Sequence, residues 1–121
     1  MTVKIYDLRR RSYVYALEVI KCLKMLPDDY VSRTLEHQLL RSTTSVGANI
    51  VEAQAASSKK DFANFYTHAL KSAHESRFWF HLLRDSGKVA PEIIEPLVSE
   101  TGELANILAA SVLTIKGRRR F

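Results

Sequence analysis

Residues 41–52 read Arg-Ser-Thr-Thr-Ser-Val-Gly-Ala-Asn-Ile-Val-Glu, a run of small and polar side chains inside a longer helical pattern. Positions 42, 45, 49, 52 and 56 recur every three or four residues, so a helix places them on one stripe. A helical bundle ordinarily fills such a stripe with leucine. We therefore predict a polar seam against a neighbouring helix, with Asn49 and Glu52 buried and hydrogen-bonded across it, because an unpaired buried polar group costs about 1 to 3 kcal/mol.

Apolar periodicity on both sides of this run predicts four helices, and no strand pattern competes with them. The first helix spans about 6–25, and the fourth ends at Gly117. Four signals mark the other ends: caps at Asp28 or Asp29 and at Ser58, a stop near Gly87, and Pro91 at a first helical position. The short connections predict one all-α domain over residues 1–121, an antiparallel up-down-up-down four-helix bundle with a basic tail at 116–121.

Composition indicates an ordinary globular protein, with 46% hydrophobic and 26% charged residues. The single cysteine, Cys22, excludes an internal disulfide and favours a reducing cytosol. The first residues lack the apolar stretch of a signal peptide, and no run approaches the roughly 20 apolar residues of a membrane span. We expect a cytoplasmic protein without a membrane segment.

The net charge of +5 is concentrated at the two ends of the chain. Residues 1–26 carry six basic and two acidic side chains, residues 116–121 carry four basic ones, and the stretch between has eight basic against eleven acidic. Such clustering points to a polyanion such as RNA or DNA. The predicted nucleic-acid contacts are Arg9, Arg10, Arg11, Lys116, Arg118, Arg119 and Arg120. The alternative is a structural or protein-interaction module whose charge serves solubility only.

Two further groups of residues have a predicted role in packing. Phe78, Trp79 and Phe80 are consecutive, and about 100° separates neighbours on a helix, so at least one ring must face outward; we predict an oligomer contact there. If the second and third helices form an antiparallel pair with a turn near Ser57, Arg41 comes within reach of Glu75. We predict a structural ion pair, which completes a polar seam of Arg41, Ser45, Asn49, Glu52 and Glu75.

The sequence offers little for catalysis or metal binding. His74 and His81 lie seven residues apart, but no acidic residue stands three positions before any histidine, as the di-iron bundles require. The four glycines are too scattered for a phosphate-binding loop. We expect no metal, no cofactor and no enzyme activity.

The run from Arg41 to Glu52, the following Ser58, Phe62 and Phe65, and the segment from Ala69 to Glu75 resemble one known family. Its members are small four-helix proteins encoded in intervening sequences of bacterial large-subunit (23S) ribosomal RNA genes. They share an Arg-x-x-x-Ser core ending in Asn-Ile-x-Glu-Gly and a later Ser-x-x-Glu step, which Ser72-Ala-His-Glu75 matches. Ala53 stands where the family usually has glycine.

The resemblance implies a four-helix bundle that assembles as a ring-like homopentamer and has no enzyme activity. A related fold is that of the accessory protein of diversity-generating retroelements, a barrel-shaped pentamer that binds nucleic acid and a reverse transcriptase. The resemblance therefore implies a homo-oligomer with RNA or DNA as partner, and a reverse transcriptase if the chain is retroelement-associated.

Overall fold

The computed structural model describes residues 7–117, and these form four helices. They are α1 (Leu8–Leu23), α2 (Tyr30–Ala53), α3 (Lys59–Asp85) and α4 (Pro91–Gly117). Each packs antiparallel to the next, and α4 closes against α1. The predicted four-helix bundle is confirmed. None of the helices in residues 7–117 is both long and apolar enough to cross a membrane.

The helix ends lie where local side-chain chemistry places them. Asp29 accepts a hydrogen bond from the Ser32 amide at 2.8 Å and caps α2. Ser58 accepts from the Asp61 amide at 3.0 Å, while Asp61 accepts in return from the Ser57 amide at 3.2 Å. These reciprocal bonds satisfy amides that have no partner within the helix. After α3, Gly87 adopts φ +76°, a conformation that side chains with a Cβ rarely take.

The core consists of two clusters stacked along the bundle. One lies toward the α1–α2 and α3–α4 connections and joins all four helices around Tyr15, Leu39, Phe80 and Leu104. The other lies toward the α2–α3 turn and joins α2, α3 and α4, with the first residue of α1, Leu8, packed at its edge. The 16 residues of α1 therefore cover less of the bundle than the 27 residues of α4.

Gly47 lies at a close crossing of α2 and α1. A Cβ added to Gly47 would lie 3.1 Å from the Ser12 hydroxyl oxygen. Ser12 is itself buried, and its hydroxyl donates to the Arg9 carbonyl at 2.9 Å. The absent side chain at Gly47 therefore lets the two helices approach at this point.

Gly102 is the matched comparison, because it is helical and a Cβ there would meet nothing within 4 Å. Alanine is favoured over glycine within a helix by about 0.8 to 1.0 kcal/mol. We expect Gly102→Ala to raise the free energy of unfolding by about that amount and Gly47→Ala to raise it by clearly less, because Ser12 must move. Chemical denaturation measures both, and equal gains would contradict the close crossing.

Candidate functional site

The polar seam lies between α2 and α3 and is built from hydroxyl groups. Ser76 Oγ lies 2.8 Å from Ser42 Oγ, and Ser72 Oγ donates to Ser45 Oγ at 3.0 Å. Ser42 and Ser76 are fully buried. Each pair gives two hydroxyls a partner while adding little volume, so the backbones of α2 and α3 lie close together. We call these four residues the serine seam.

Two residues of the predicted seam occupy different environments from those expected. Asn49 is half-buried, but its amide donates to the Ser45 carbonyl at 2.9 Å and the Ser45 hydroxyl at 3.1 Å, both on its own helix. Glu52 is exposed, so the prediction that it is buried is wrong. The cause is helical drift: ten residues at 100° each fall about 80° short of three full turns, which rotates Glu52 away from the side of Ser42.

Arg41 and Glu75 lie together across α2 and α3, on the outer edge of the serine seam. Arg41 Nη2 donates to Glu75 Oε2 and, at 2.9 Å, to Gln38 Oε1. The indole of Trp79 donates to the same Glu75 oxygen at 2.8 Å. These donors, first the Trp79 indole and then the Arg41 guanidinium, lower the pKa of Glu75. The arrangement holds charge and orients side chains, and it contains no nucleophile.

The three consecutive aromatic rings have three different environments. Phe78 is 57% exposed, Trp79 is partly buried, and Phe80 is 0% exposed within the core. The prediction that Phe80 contacts another subunit is therefore wrong, because its ring fills the interior between α3 and its neighbours. Phe78 packs edge-on against Trp79 with ring centroids 5.0 Å apart, and Leu82 continues the exposed surface by one turn. We call Phe78, Trp79 and Leu82 the aromatic face.

The guanidinium of Arg11 is bound by carboxylates of α4 and is largely shielded from solvent. Its Nε and Nη2 donate to the two oxygens of Glu100 at 2.8 and 2.9 Å, and Nη2 also donates to Glu103 at 2.9 Å. Its side chain is only 15% exposed. Two carboxylates already neutralise and orient the guanidinium, so Arg11 is not one of the free basic groups at the surface.

The other predicted contacts lie toward one end of the bundle, or outside the described residues. Arg9 and Arg10 are exposed in the first turn of α1, and Lys116 is exposed in the last turn of α4. Arg118, Arg119 and Arg120 lie outside the described range. Lys116 follows Glu103, the partner of Arg11, by thirteen residues, which is about 20 Å along a helix. Arg9, Arg10 and Lys116 are therefore spread over this end of the bundle and do not form one compact patch.

Two lysines that the sequence analysis did not single out lie at this same end. Lys59 and Lys60 are exposed in the first turn of α3. The second core cluster brings together the start of α3, the C-terminal half of α4 and Leu8 at the start of α1, so this end carries basic residues from these three helices. We call it the basic end: Arg9, Arg10, Lys59, Lys60 and Lys116. The up-down topology places Lys59 and Lys60 at this end and could have identified them. They were not singled out because residues 27–115 carry more acidic than basic side chains.

An open groove of about 820 Å³ runs along the surface where α1 meets α4. Its floor includes Tyr15, Cys22 and Leu97, and its rim includes Glu18 and Glu92. Burial raises the pKa of the Cys22 thiol, which disfavours the reactive thiolate. Burial likewise raises the pKa of Tyr15, whose hydroxyl lies 2.6 Å from Thr101 Oγ1. Within residues 7–117 no three His, Cys, Asp or Glu side chains cluster closely enough to hold a metal ion.

Comparison with known proteins gives the ancestry of this arrangement. Residues 4–110 match the family model described as 23S rRNA-intervening sequence protein. The chain belongs to this family. The resemblance read from the sequence is confirmed, and the match includes both the serine seam and the Arg41–Glu75 pair.

A crystal structure of a protein with unknown function from the S23 ribosomal protein family of Bacteroides thetaiotaomicron VPI-5482 is similar to this member of the intervening sequence family. The two share 31% sequence identity with a TM-score of 0.80, over 87% of this chain and 97% of the other. No match was found among curated proteins. The comparisons therefore show the family and the fold of this chain.

Glu75 gives this family member a pH-dependent contribution to stability. Its pKa is below the ordinary value of 4.5, so the ionised form stabilises the fold above that value, and the contribution declines as the pH falls through the folded-state pKa. We expect Glu75→Gln to lower the free energy of unfolding at pH 7 by about 0.2 to 1 kcal/mol, the range of an exposed pair. Below pH 4.5 the difference from wild type should shrink.

Glu52→Gln is the matched control, since Glu52 is exposed on α2 and its carboxylate forms no ion pair with another residue of 7–117. Urea titrations of both variants at several pH values measure the effect. An equal pH dependence for the two variants would show that the Glu75 contacts do not contribute to stability.

Proposed function

We propose that this chain is a non-catalytic, cytoplasmic protein that forms a ring-like homo-oligomer of five subunits, the number that the family resemblance implies. In this proposal the protein binds RNA or DNA through the basic end. One observation supports the nucleic-acid part. Seven Lys and Arg side chains have no ionic partner among residues 7–117, and four of them lie at this end of the bundle: Arg10, Lys59, Lys60 and Lys116. The other three are Lys71 and Arg77 in the middle of α3 and Lys24 at the C-cap of α1. The remaining Lys and Arg side chains at the opposite end are paired.

The contrast between the two ends is one of charge compensation. At the opposite end, Lys88 lies 3.2 Å from Asp29, and Arg84 lies 2.9 Å from Glu95 and 2.8 Å from Asp85. Arg33 pairs there with Asp28. At the basic end only Arg9 has a carboxylate partner, Asp7 at 3.4 Å, within the described residues. Uncompensated Lys and Arg are the groups that bind phosphate and release its counterions.

The names of the relatives favour RNA among the polyanions. The family is described by an intervening sequence of 23S rRNA, and the similar Bacteroides protein is placed in a ribosomal protein family. Four of the five net positive charges also come from Lys4, Arg118, Arg119 and Arg120, since residues 7–117 hold 14 basic and 13 acidic side chains. The proposal assigns these residues to the same polyanion contact as the basic end.

The aromatic face supports the assembly part of the proposal. Phe78 and Leu82 are exposed, and Trp79 beside them is fixed by its bond to Glu75. Interfaces between proteins are enriched in aromatic and Arg residues, and rigid side chains lose little entropy on binding. A contact between this face and a different surface of the next copy must close into a ring or grow into a filament.

A second candidate function is a protein-interaction module that does not bind nucleic acid. The near balance of charge in residues 7–117 favours it, because the folded body then presents little net attraction to a polyanion. A reverse transcriptase is the protein partner that applies if the gene is retroelement-associated. The salt dependence of nucleic-acid binding separates this candidate from the first.

The assembly is tested by the mass in solution. Light scattering coupled to gel filtration should give a multiple of the 13.8 kDa chain, five in the proposed ring. Phe78→Ser should reduce the mass, because it removes apolar area from the contact. Tyr30→Ser is the control, since it removes a 78% exposed aromatic ring from α2 and leaves the aromatic face unchanged. A wild-type monomer at micromolar concentration would overturn the assembly.

The nucleic-acid contact is tested by removing charge. We expect Lys59→Ser combined with Lys60→Ser to weaken binding to RNA and to make the log-log salt slope shallower by about 0.7 to 0.9 for each phosphate that the variant no longer neutralises. Lys71→Ser combined with Arg77→Ser removes the same charge from the middle of α3 and should change binding less. Filter binding over a salt series measures both, and absence of wild-type binding at about 50 mM salt would contradict the proposal.

A further inference from the structure

The outward side of α1 combines positive charge with an exposed aromatic ring. Its residues recur at helical spacing, and all are exposed in the bundle. We call this set the α1 outer face: Arg10, Tyr13, Leu17, Lys21 and Lys24. It lies opposite the buried side of α1, which holds Ser12, Tyr15, Val19, Cys22 and Leu23.

Tyr13 and Tyr15 show that the exposed ring is not needed by the core. Tyr15 is 2% exposed, and its hydroxyl lies against Thr101. Tyr13 is 67% exposed, with Leu17 beside it one turn later at 44%. A large ring with most of its surface in water, flanked by a second apolar side chain, is a flat platform on which another planar group can stack.

Charge decides which planar group fits this platform. Arg10 lies three residues before Tyr13 and Lys24 eleven residues after it, and neither makes an ion pair with another residue of 7–117. The only acidic partner of the face within these residues is Glu18, 3.3 Å from Lys21. The aromatic face of α3 differs, because Trp79 shares the carboxylate of Glu75 with Arg41. A polyanion that carries planar groups therefore suits the α1 outer face.

We infer that the α1 outer face binds single-stranded nucleic acid, with an unpaired base stacked on Tyr13 and phosphates contacted by Arg10 and Lys24. The inference rests on the proposed nucleic-acid function and adds a class of ligand to it. From Arg10 to Lys24 the helix spans about 21 Å, enough for a short stretch of strand. Bases of a duplex are stacked on one another and reach such a ring only after unstacking, so the ring favours single strands.

The test uses the full chain and two labelled probes, an oligouridylate and an RNA duplex of the same length, followed by fluorescence anisotropy at low salt. Wild type should bind the single strand more tightly. Tyr13→Ala should weaken single-strand binding at least about fivefold and leave duplex binding unchanged, because stacking on one aromatic side chain contributes that much or more. Tyr13→Phe keeps the ring and should retain wild-type affinity.

Tyr30→Ala is the matched control, since it removes another highly exposed tyrosine, 78% against 67% for Tyr13, from α2 and should leave both affinities unchanged. If wild type and Tyr13→Ala bind both probes alike, the inference fails while the proposed function stands. If wild type binds neither probe, the proposed function fails, and the inference fails with it. A loss of affinity in Tyr13→Ala that accompanies a loss of oligomer mass would assign Tyr13 to a subunit contact and overturn the inference.

Discussion

The close approach of α2 and α3 through four serines is the constraint on which the rest of the bundle depends. Ser42 and Ser76 are buried without leaving a polar atom unsatisfied, and within residues 7–117 no buried side-chain nitrogen or oxygen lacks a hydrogen-bond partner. A seam of leucines would tolerate small shifts of one helix along the other, whereas paired hydroxyls fix the relative position. That position brings Arg41 to Glu75, whose carboxylate also accepts from Trp79 one turn later on α3.

Sequence patterns predicted the fold well because the signals for helix ends are local. The caps at Asp29 and Ser58, the glycine stop at Gly87 and the opening at Pro91 act over three or four residues. The Arg41–Glu75 contact could be placed as well, because the antiparallel pairing of two adjacent helices follows from one short turn. These features need no knowledge of the remaining helices.

The misplaced residues have two kinds of cause: a partner that is distant in the chain, or a pattern extended too far along one helix. The Glu100 partner of Arg11 lies 89 positions later, and no local pattern in α1 indicates it. Glu52 is exposed because a three-four stripe drifts around the helix. Phe80 is buried because it lies four residues after the buried Ser76 and three before the buried Leu83, on the side of α3 that faces the core. The sum of charges along the sequence likewise did not indicate Lys59 and Lys60, because the bundle brings residues together at one end that are far apart in the sequence.

The short first helix has a consequence for motion. With 16 residues beside an open groove, α1 has less length to pack against the bundle than the 27-residue α3 and α4, and its contact with α4 includes the exposed carboxylate of Glu103. Elements with few buried contacts open at lower free energy than the rest of a domain. In native-state hydrogen exchange, the amides of α1 should therefore lose protection as one unit, while the paired α2 and α3 remain protected. The molecule is then a stable three-helix body with a fourth helix held less firmly against it.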